Sequence, residues 1–491
     1  FMKSKLSILC FCILLFGSSA LFAGPREDVI KELNQSSSAA SSDGASSWKQ
    51  FFEACIEITP PPMVMSDSFN MSTVWPGMES WEEVSDWAKQ NEHIEVAFAE
   101  AAKRAIIGLP YGSEHVPANF REAGVYAEIG VDDRLHAFDF AYVQMVELAC
   151  LCATAEMYRL FENGETDRAI QLMISEFIVL RKFCDREFLK EQLTFMPLLG
   201  DALENARDMF YRYKDNLSAI QFRSIAMDGI PNLETDATSL LMPEGDRIVG
   251  KALLLELFGA NGVADPAKFR EVLTDIQADQ ELLARAGASR YWESIALVHR
   301  GRDDSLARLN KIYDDWWRRW KMRSFHPQLE MDSELEKSNP VKYAAVSMVV
   351  RNIQELFTQR DLLTVEINGT AVSASLCGYF NHYGKYPSHL KKMYAQLLHR
   401  KSNVDALNSL PLRTDSDWEL YAFSAGPFHY RSVDKNIKIE TIRGNVSVNK
   451  GQCLLYSVAI DDEDNRGLNA GQDFILWPPL KSLERNAGLL E

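Results

Sequence analysis

The strongest constraint on this chain is a spacing of three and four between its apolar residues. Val143, Val146, Cys150, Ala153, Met157 and Leu160 form one such stripe, which makes a helix with one buried face. Asn163 and Gly164 stop it, and Thr166 and Asp167 start the next. Ala169, Leu172, Met173, Phe177 and Leu180 continue the apolar face. The spacing therefore predicts an antiparallel helical hairpin over 140–183. Further helices are predicted at 188–216, 246–259, 266–286, 289–299, 303–323 and 340–380. Pro243, Pro266, Pro327 and Pro340 fall at or near their ends, as a residue without an amide proton should. The helical period dominates from Ser80 to about Gln396. No second copy of the hairpin recurs at a fixed distance, so the expectation is an irregular helical bundle or superhelix rather than a repeat array.

After Lys401 the texture changes. Segments around Trp418–Phe423, Phe428–Arg431, Ile437–Ile442, Asn445–Val448 and Leu454–Val458 alternate apolar and polar residues. Turn residues such as Gly426, Pro427, Asn436, Gly444 and Gly451 separate them. That pattern predicts short strands in an antiparallel meander. The fold class is therefore mainly α, followed by a small C-terminal α+β module of one long helix plus the meander. The predicted organisation is a signal peptide at 1–23, a flexible linker at 24–47, an α-helical domain at 48–335 and the α+β module at 340–491. Residues 48–80, interrupted by Pro60, Pro61 and Pro62, read as irregular with one short helix. A composition that is 46% hydrophobic and 25% charged over 491 residues supports a folded core of two or three such units.

The start of the chain has the layout of an export signal. Lys3 and Lys5 precede an apolar run from Leu6 to Phe16, and small residues follow, with cleavage expected after Ala20 or Ala23. No later stretch has the length of a membrane span. The expected location is exported, either periplasmic or secreted. Outside the leader the cysteines are Cys55, Cys150, Cys152, Cys184, Cys377 and Cys453. They have no CxxC or Cys/His zinc spacing, and Cys150 and Cys152 read as small buried hydrophobes. The formal net charge is −17. Such a balance excludes a nucleic-acid partner, which needs a basic surface, and opposes adsorption to anionic lipid.

The tail carries a resemblance. Tyr379, Tyr383, Gly384, Tyr386, Pro387 and Leu390 end the long helix, Gly426, Pro427, Phe428 and Tyr430 follow, and Leu455–Val458 and Asp473–Ile475 flank an acidic loop. This succession resembles the helix exit, the turn with its aromatic strand and the last hairpin of type II secretion pseudopilins. The likeness spans about residues 340–480. It implies a long helix packed on a small antiparallel sheet and a last loop able to hold calcium. Pseudopilins begin with a hydrophobic helix that enters a filament; here some 300 helical residues stand in front instead. The loop also has a reading of its own. Asp461, Asp462, Asp464, Asn465 and Asp473 supply oxygen ligands of the kind calcium takes. Asp462, Asp464, Gly467 and Asp473 fall at EF-hand-like spacings, which Arg466 and the terminal Asp interrupt. The alternative is a solvated turn.

Catalytic patterns are missing from the sequence: no Gly-x-Ser-x-Gly elbow and no His-Glu-x-x-His pair. Gly245, Gly250 and Lys251 have the spacing of a phosphate loop, but Ala252 replaces the hydroxyl that would hold magnesium. The most unusual helix carries Trp316, Arg319, Trp320 and Arg323. It reads as an aromatic-basic docking face for glycan or peptide, or, the preferred reading, as packed tryptophans with arginines over their edges. The functional expectation is an exported, non-enzymatic binding or structural protein of the bacterial envelope, with an unidentified protein or envelope partner. The alternatives are a secreted hydrolase and an accessory of a type II secretion system.

Overall fold

A computed structural model describes residues 24–35, 44–62, 70–231, 239–280, 285–322, 324–394, 396–411, 423–458 and 463–490. The expected signal peptide lies outside the described residues. The fold is mainly helical, with small antiparallel sheets towards the C-terminus. None of the described helices is long and apolar enough to cross a membrane.

The expected hairpin is α5 (Tyr142–Glu162) and α6 (Thr166–Phe183). Gly164 adopts φ +78° and the Glu165 amide bonds the Leu160 carbonyl at 2.8 Å, which closes the end of α5. Every residue of α5 from Ala149 to Phe161 is buried, wider than one stripe. The reason is that α2 (Trp48–Ile56), α3 (Trp81–Gln90), α4 (His93–Lys103), α6 and α7 (Leu189–Tyr213) all pack on it. Cys55, Cys150, Cys152 and Cys184 lie buried as free thiols in this region.

The first expected linker is corrected. Its residues 25–33 form α1 (Pro25–Leu33), which buries Val29, Ile30 and Leu33; residues 36–43 lie outside the described residues. Pro25 at the first helical position and Glu27 and Asp28 in the first turn favour a helix start. A second correction concerns 104–141, where the helical period lapses. There the chain makes a two-residue ladder of β1 (Glu128–Ile129) with β2 (Phe138–Asp139), and Gly108, Gly112, Gly124 and Gly130 all take positive φ.

The predicted helix at 340–380 is divided. Ala344–Val349 is one short piece, and α10 runs from Gln354 to Tyr383. Between them the Asn352 Oδ1 accepts the Gln354 amide at 3.0 Å and starts the longer helix. From Ile367 to Tyr379 every residue of α10 is buried. A helix enclosed on all sides must shed bulk where its neighbours approach. A Cβ on Gly369 would sit 2.6 Å from the Leu476 side chain, and one on Gly378 would sit 3.1 Å from Phe222 Cβ. The hydroxyls of Thr370, Ser373 and Ser375 donate to carbonyls one turn back, at 2.7, 2.7 and 2.8 Å, so their burial leaves no donor idle. α7 lies against α10, as do strands of the tail. One apolar core consequently runs from Val29 to Trp477, continuous across the expected boundary at 335–340.

The tail contains β3 (Asp405–Pro411), β4 (Phe423–Gly426), β5 (His429–Ser432), β6 (Ile437–Thr441), β7 (Gly444–Val448), β8 (Cys453–Ser457) and β9 (Phe474–Trp477). β5, β6, β7 and β8 match expected segments, β3 matches none of them, and the expected segment at 418–423 lies outside the described residues except for Phe423, where β4 begins; the meander does not form. The order in the main sheet is β5-β8-β9, and β6-β7 is a separate hairpin between β5 and β8 in sequence. The residues explain this. β8 is buried at all five positions, so it needs a partner on each edge, whereas β6 and β7 alternate and bury only Ile437, Ile439, Val446 and Val448. α11 (Leu480–Asn486) then docks on α7 through Arg485 and Ser482, both bonded to the buried Asp208.

Candidate binding cleft

Two sets of residues singled out by sequence have definite places. In the acidic loop, Asp461 and Asp462 lie outside the described residues. Asp464 Oδ1 accepts the Arg466 amide at 2.7 Å and the Tyr456 hydroxyl at 2.9 Å. Its Oδ2 lies 3.5 Å from His429 Nδ1. Asp473 is buried, and its oxygens accept the Gly467 amide at 2.8 Å and the Asn465 amide at 3.3 Å. Asp464 and Asp473 thus already bond the loop's own donors, which fixes Arg466 and Gly467 in the left-handed region at φ +63° and +68°.

The tryptophan helix is α9 (Arg302–Trp320). Trp316 and Trp320 are only 5% and 8% exposed, and Trp320 Nε1 donates to the Leu240 carbonyl at 2.8 Å. Both rings are packed in the interior, and the guanidinium over Trp320 is that of Arg360, not Arg319. Trp317 is the more open ring, 41% exposed, with Lys321 Nζ 3.7 Å from its centre. Arg319 offers no free face either. Its Nε bonds Asp315 at 2.9 Å, and its other nitrogens bond the carbonyls of Leu329, Met331 and Asp332 at 3.3, 2.9 and 3.1 Å. Arg323 lies outside the described residues.

What Arg319 holds in place is a wall. The segment 324–336 that it staples, together with α9, the start of α10 and Ala406 and Leu407 of β3, encloses a cleft of about 1150 Å³. Its buried lining is apolar: Leu189, Trp316, Val350 and Ile353. Phe325 lines it with a backbone at φ +64°, a region that costs a non-glycine residue about 1–2 kcal/mol. Two further arginines reach the cleft and are spoken for. Arg351 bonds the buried Asp246 at 3.1 Å and the His136 carbonyl at 3.3 Å. Arg360 bonds Asp361 at 3.1 Å and the Trp320 carbonyl at 2.8 Å, with its guanidinium 4.8 Å from the Trp320 ring centre. Each arginine of the cleft is therefore neutralised by its own aspartate.

The opposite sign is not matched. Glu330, Asp332 and Glu336 sit on the stapled wall, exposed, and none has an ion pair among the described residues. The Ser333 amide bonds Glu336 Oε2 at 2.6 Å, and bonds from Ser333 hold this carboxyl below its ordinary range. Nothing in the sequence marked these three, because spaced acidic residues in a loop look like any solvated segment. Among the described residues, no hydroxyl or thiol of the cleft hydrogen-bonds a histidine; His326 Nδ1 instead accepts the Gln328 amide at 3.2 Å.

Other titratable clusters are closed. Glu92, Glu95 and Glu156 bring carboxylate oxygens within 4.8 Å of one another, but Arg168 binds Glu95 and Arg159 binds Glu156. The phosphate-loop spacing falls within α8 (Gly245–Glu256), a helix. Gly245 is there for contact: a Cβ would lie 2.8 Å from the Glu187 carbonyl, which its own amide bonds at 2.7 Å. Scanned against protein-family models, curated proteins and solved structures, the chain matches none of them.

Proposed function

We propose that the chain is an exported, non-enzymatic binding protein of the bacterial envelope whose ligand lies in the cleft between α9 and the start of α10. The observation that carries this reading is the cleft itself. It is large, lined by core residues, and bounded by a wall that Arg319 ties down by three carbonyls. Such preorganisation lowers the cost of ordering a site on binding. The leader-like pattern at 3–23 supports export. Passing a random peptide mixture over the immobilised protein tests the reading. Peptides should be retained, recovered intact, and lost when Ser347, an exposed residue of the cleft, is replaced in Ser347→Trp. No retention, or equal retention by the variant, contradicts it; recovery of cleaved peptides favours the hydrolase alternative.

The pseudopilin-like tail and its calcium belong to the same proposal. The helix exit supports it: Gly384 caps α10 at φ +67°, and Tyr430 of β5 bonds the Pro387 carbonyl at 2.6 Å. A calcium ion at the acidic loop would compete with the amides that Asp473 now accepts.

A further inference from the structure

The chemistry of the cleft narrows its occupant. On the reading that the cleft binds a ligand, we infer that the ligand is a basic peptide, whose apolar side chains meet the half-buried Phe325, Leu335 and Phe357 while its lysines or arginines face Glu330, Asp332 and Glu336.

Four observations converge on this. The three cleft arginines are consumed by Asp315, Asp246 and Asp361, so they offer little to an anion. Among the described residues the wall carboxylates form no ion pair, with Arg319 and Lys337 acting on Glu336 only at longer range, so a positive ligand gains from them without breaking an existing pair. Their oxygens do not converge: among the described residues, the set of three that comes within 4.8 Å is Glu92, Glu95 and Glu156. A wall of separated charges suits a chain with spaced cations better than one metal ion, which needs its ligands around a point. Finally, the volume of about 1150 Å³ exceeds the ~300–1,000 Å³ of pockets for small molecules. In an extended peptide, alternate side chains point to opposite sides, which matches one apolar and one acidic side of a groove. The net charge of −17 adds long-range attraction for a cationic partner and speeds its encounter.

Fluorescence anisotropy with three short labelled peptides tests the inference: Lys alternating with Leu, Ser alternating with Leu, and Glu alternating with Leu. The proteins are the wild type, the triple variant Glu330→Gln, Asp332→Asn, Glu336→Gln, and Ser347→Trp. The substituted residues are all exposed, and circular dichroism checks that each variant folds. The Lys peptide should bind the wild type tightest, weaken by about tenfold in the triple variant as a few exposed pairs are lost, lose affinity with added salt, and fail to bind Ser347→Trp. If the three peptides bind equally and Ser347→Trp abolishes them all, the charge inference is overturned while the cleft remains a binding site. If the Lys peptide binds all three proteins alike, its attraction is non-specific and the inference falls. If none binds, the reading of the cleft as a peptide site falls with it.

Discussion

Glu176 gives the sharpest quantitative test of the core. It lies on α6 facing α5, 1% exposed, and among the described residues no N–H or O–H donor reaches either carboxyl oxygen. Burial pushes its carboxyl up from the ordinary 4.5 to about 8, with the Cys150 thiol pulling weakly the other way. In the unfolded chain the group ionises near its ordinary value. Between the two values the folded state therefore holds a proton that the unfolded state has released, and stability falls as pH rises through that window. Each pH unit changes stability by about 1.4 kcal/mol, and the window as a whole by about 5 kcal/mol. Glu176→Gln keeps the shape and removes the titration. Urea unfolding of both proteins from pH 5 to pH 9 should give a stability difference that moves in the variant's favour by about 1.4 kcal/mol per pH unit and levels off above about pH 8. The unpaired amide of the glutamine adds only a constant offset. A difference that does not change with pH would refute the reasoning, because it would mean that Glu176 titrates as it does in the unfolded chain.

Three other outcomes follow from contacts already described. Gly369→Ala places a Cβ 2.6 Å from Leu476 and should cost about 1–3 kcal/mol in urea unfolding; no loss would mean that α10 and β9 can separate freely. Arg319→Lys cannot hold three carbonyls with one ammonium, so hydrogen exchange should quicken across 327–332 while α9 itself stays protected. Asp473→Ala leaves the Asn465 and Gly467 amides without their acceptor and should cost about 1–3 kcal/mol without any calcium present. On the same loop, the calcium proposal requires a chelator-reversible rise in melting temperature that an Asp464→Ala, Asp473→Ala double variant loses; no shift at millimolar calcium removes calcium from the account.

How far the sequence could be read differs from element to element, for physical reasons. The hairpin of α5 and α6 was legible because its stop and start signals, Asn163 with Gly164 and Thr166 with Asp167, are local. α10 was legible as a helix but not as the central one: Gly369, Ala371, Ser373, Ala374, Ser375 and Gly378 make no amphipathic stripe, and only the neighbours around them explain their size. The lapse at 104–141 did have a signal, the repeated Gly108, Gly112, Gly124 and Gly130 interleaved with Pro110 and Pro117, which the general helical period masked. In the tail, β5, β6, β7 and β8 were legible as segments and β3 was not, whereas the pairing depended on β8 being buried on both faces. The cleft was half visible. Trp316 and Arg319 were singled out and do line it, yet one ring is buried and the guanidinium is spent on the wall. Glu330, Asp332 and Glu336 gain meaning only once that wall faces Val350 and Ile353, a juxtaposition made by the tertiary fold.

The central claim, that this cleft is where the protein binds its partner, is tested most directly by hydrogen-exchange mass spectrometry with and without the Lys-Leu peptide. Exchange should slow only across 327–336 and 350–361, with no such slowing in Ser347→Trp. Protection elsewhere on the surface, or none at all at saturating peptide, would contradict it.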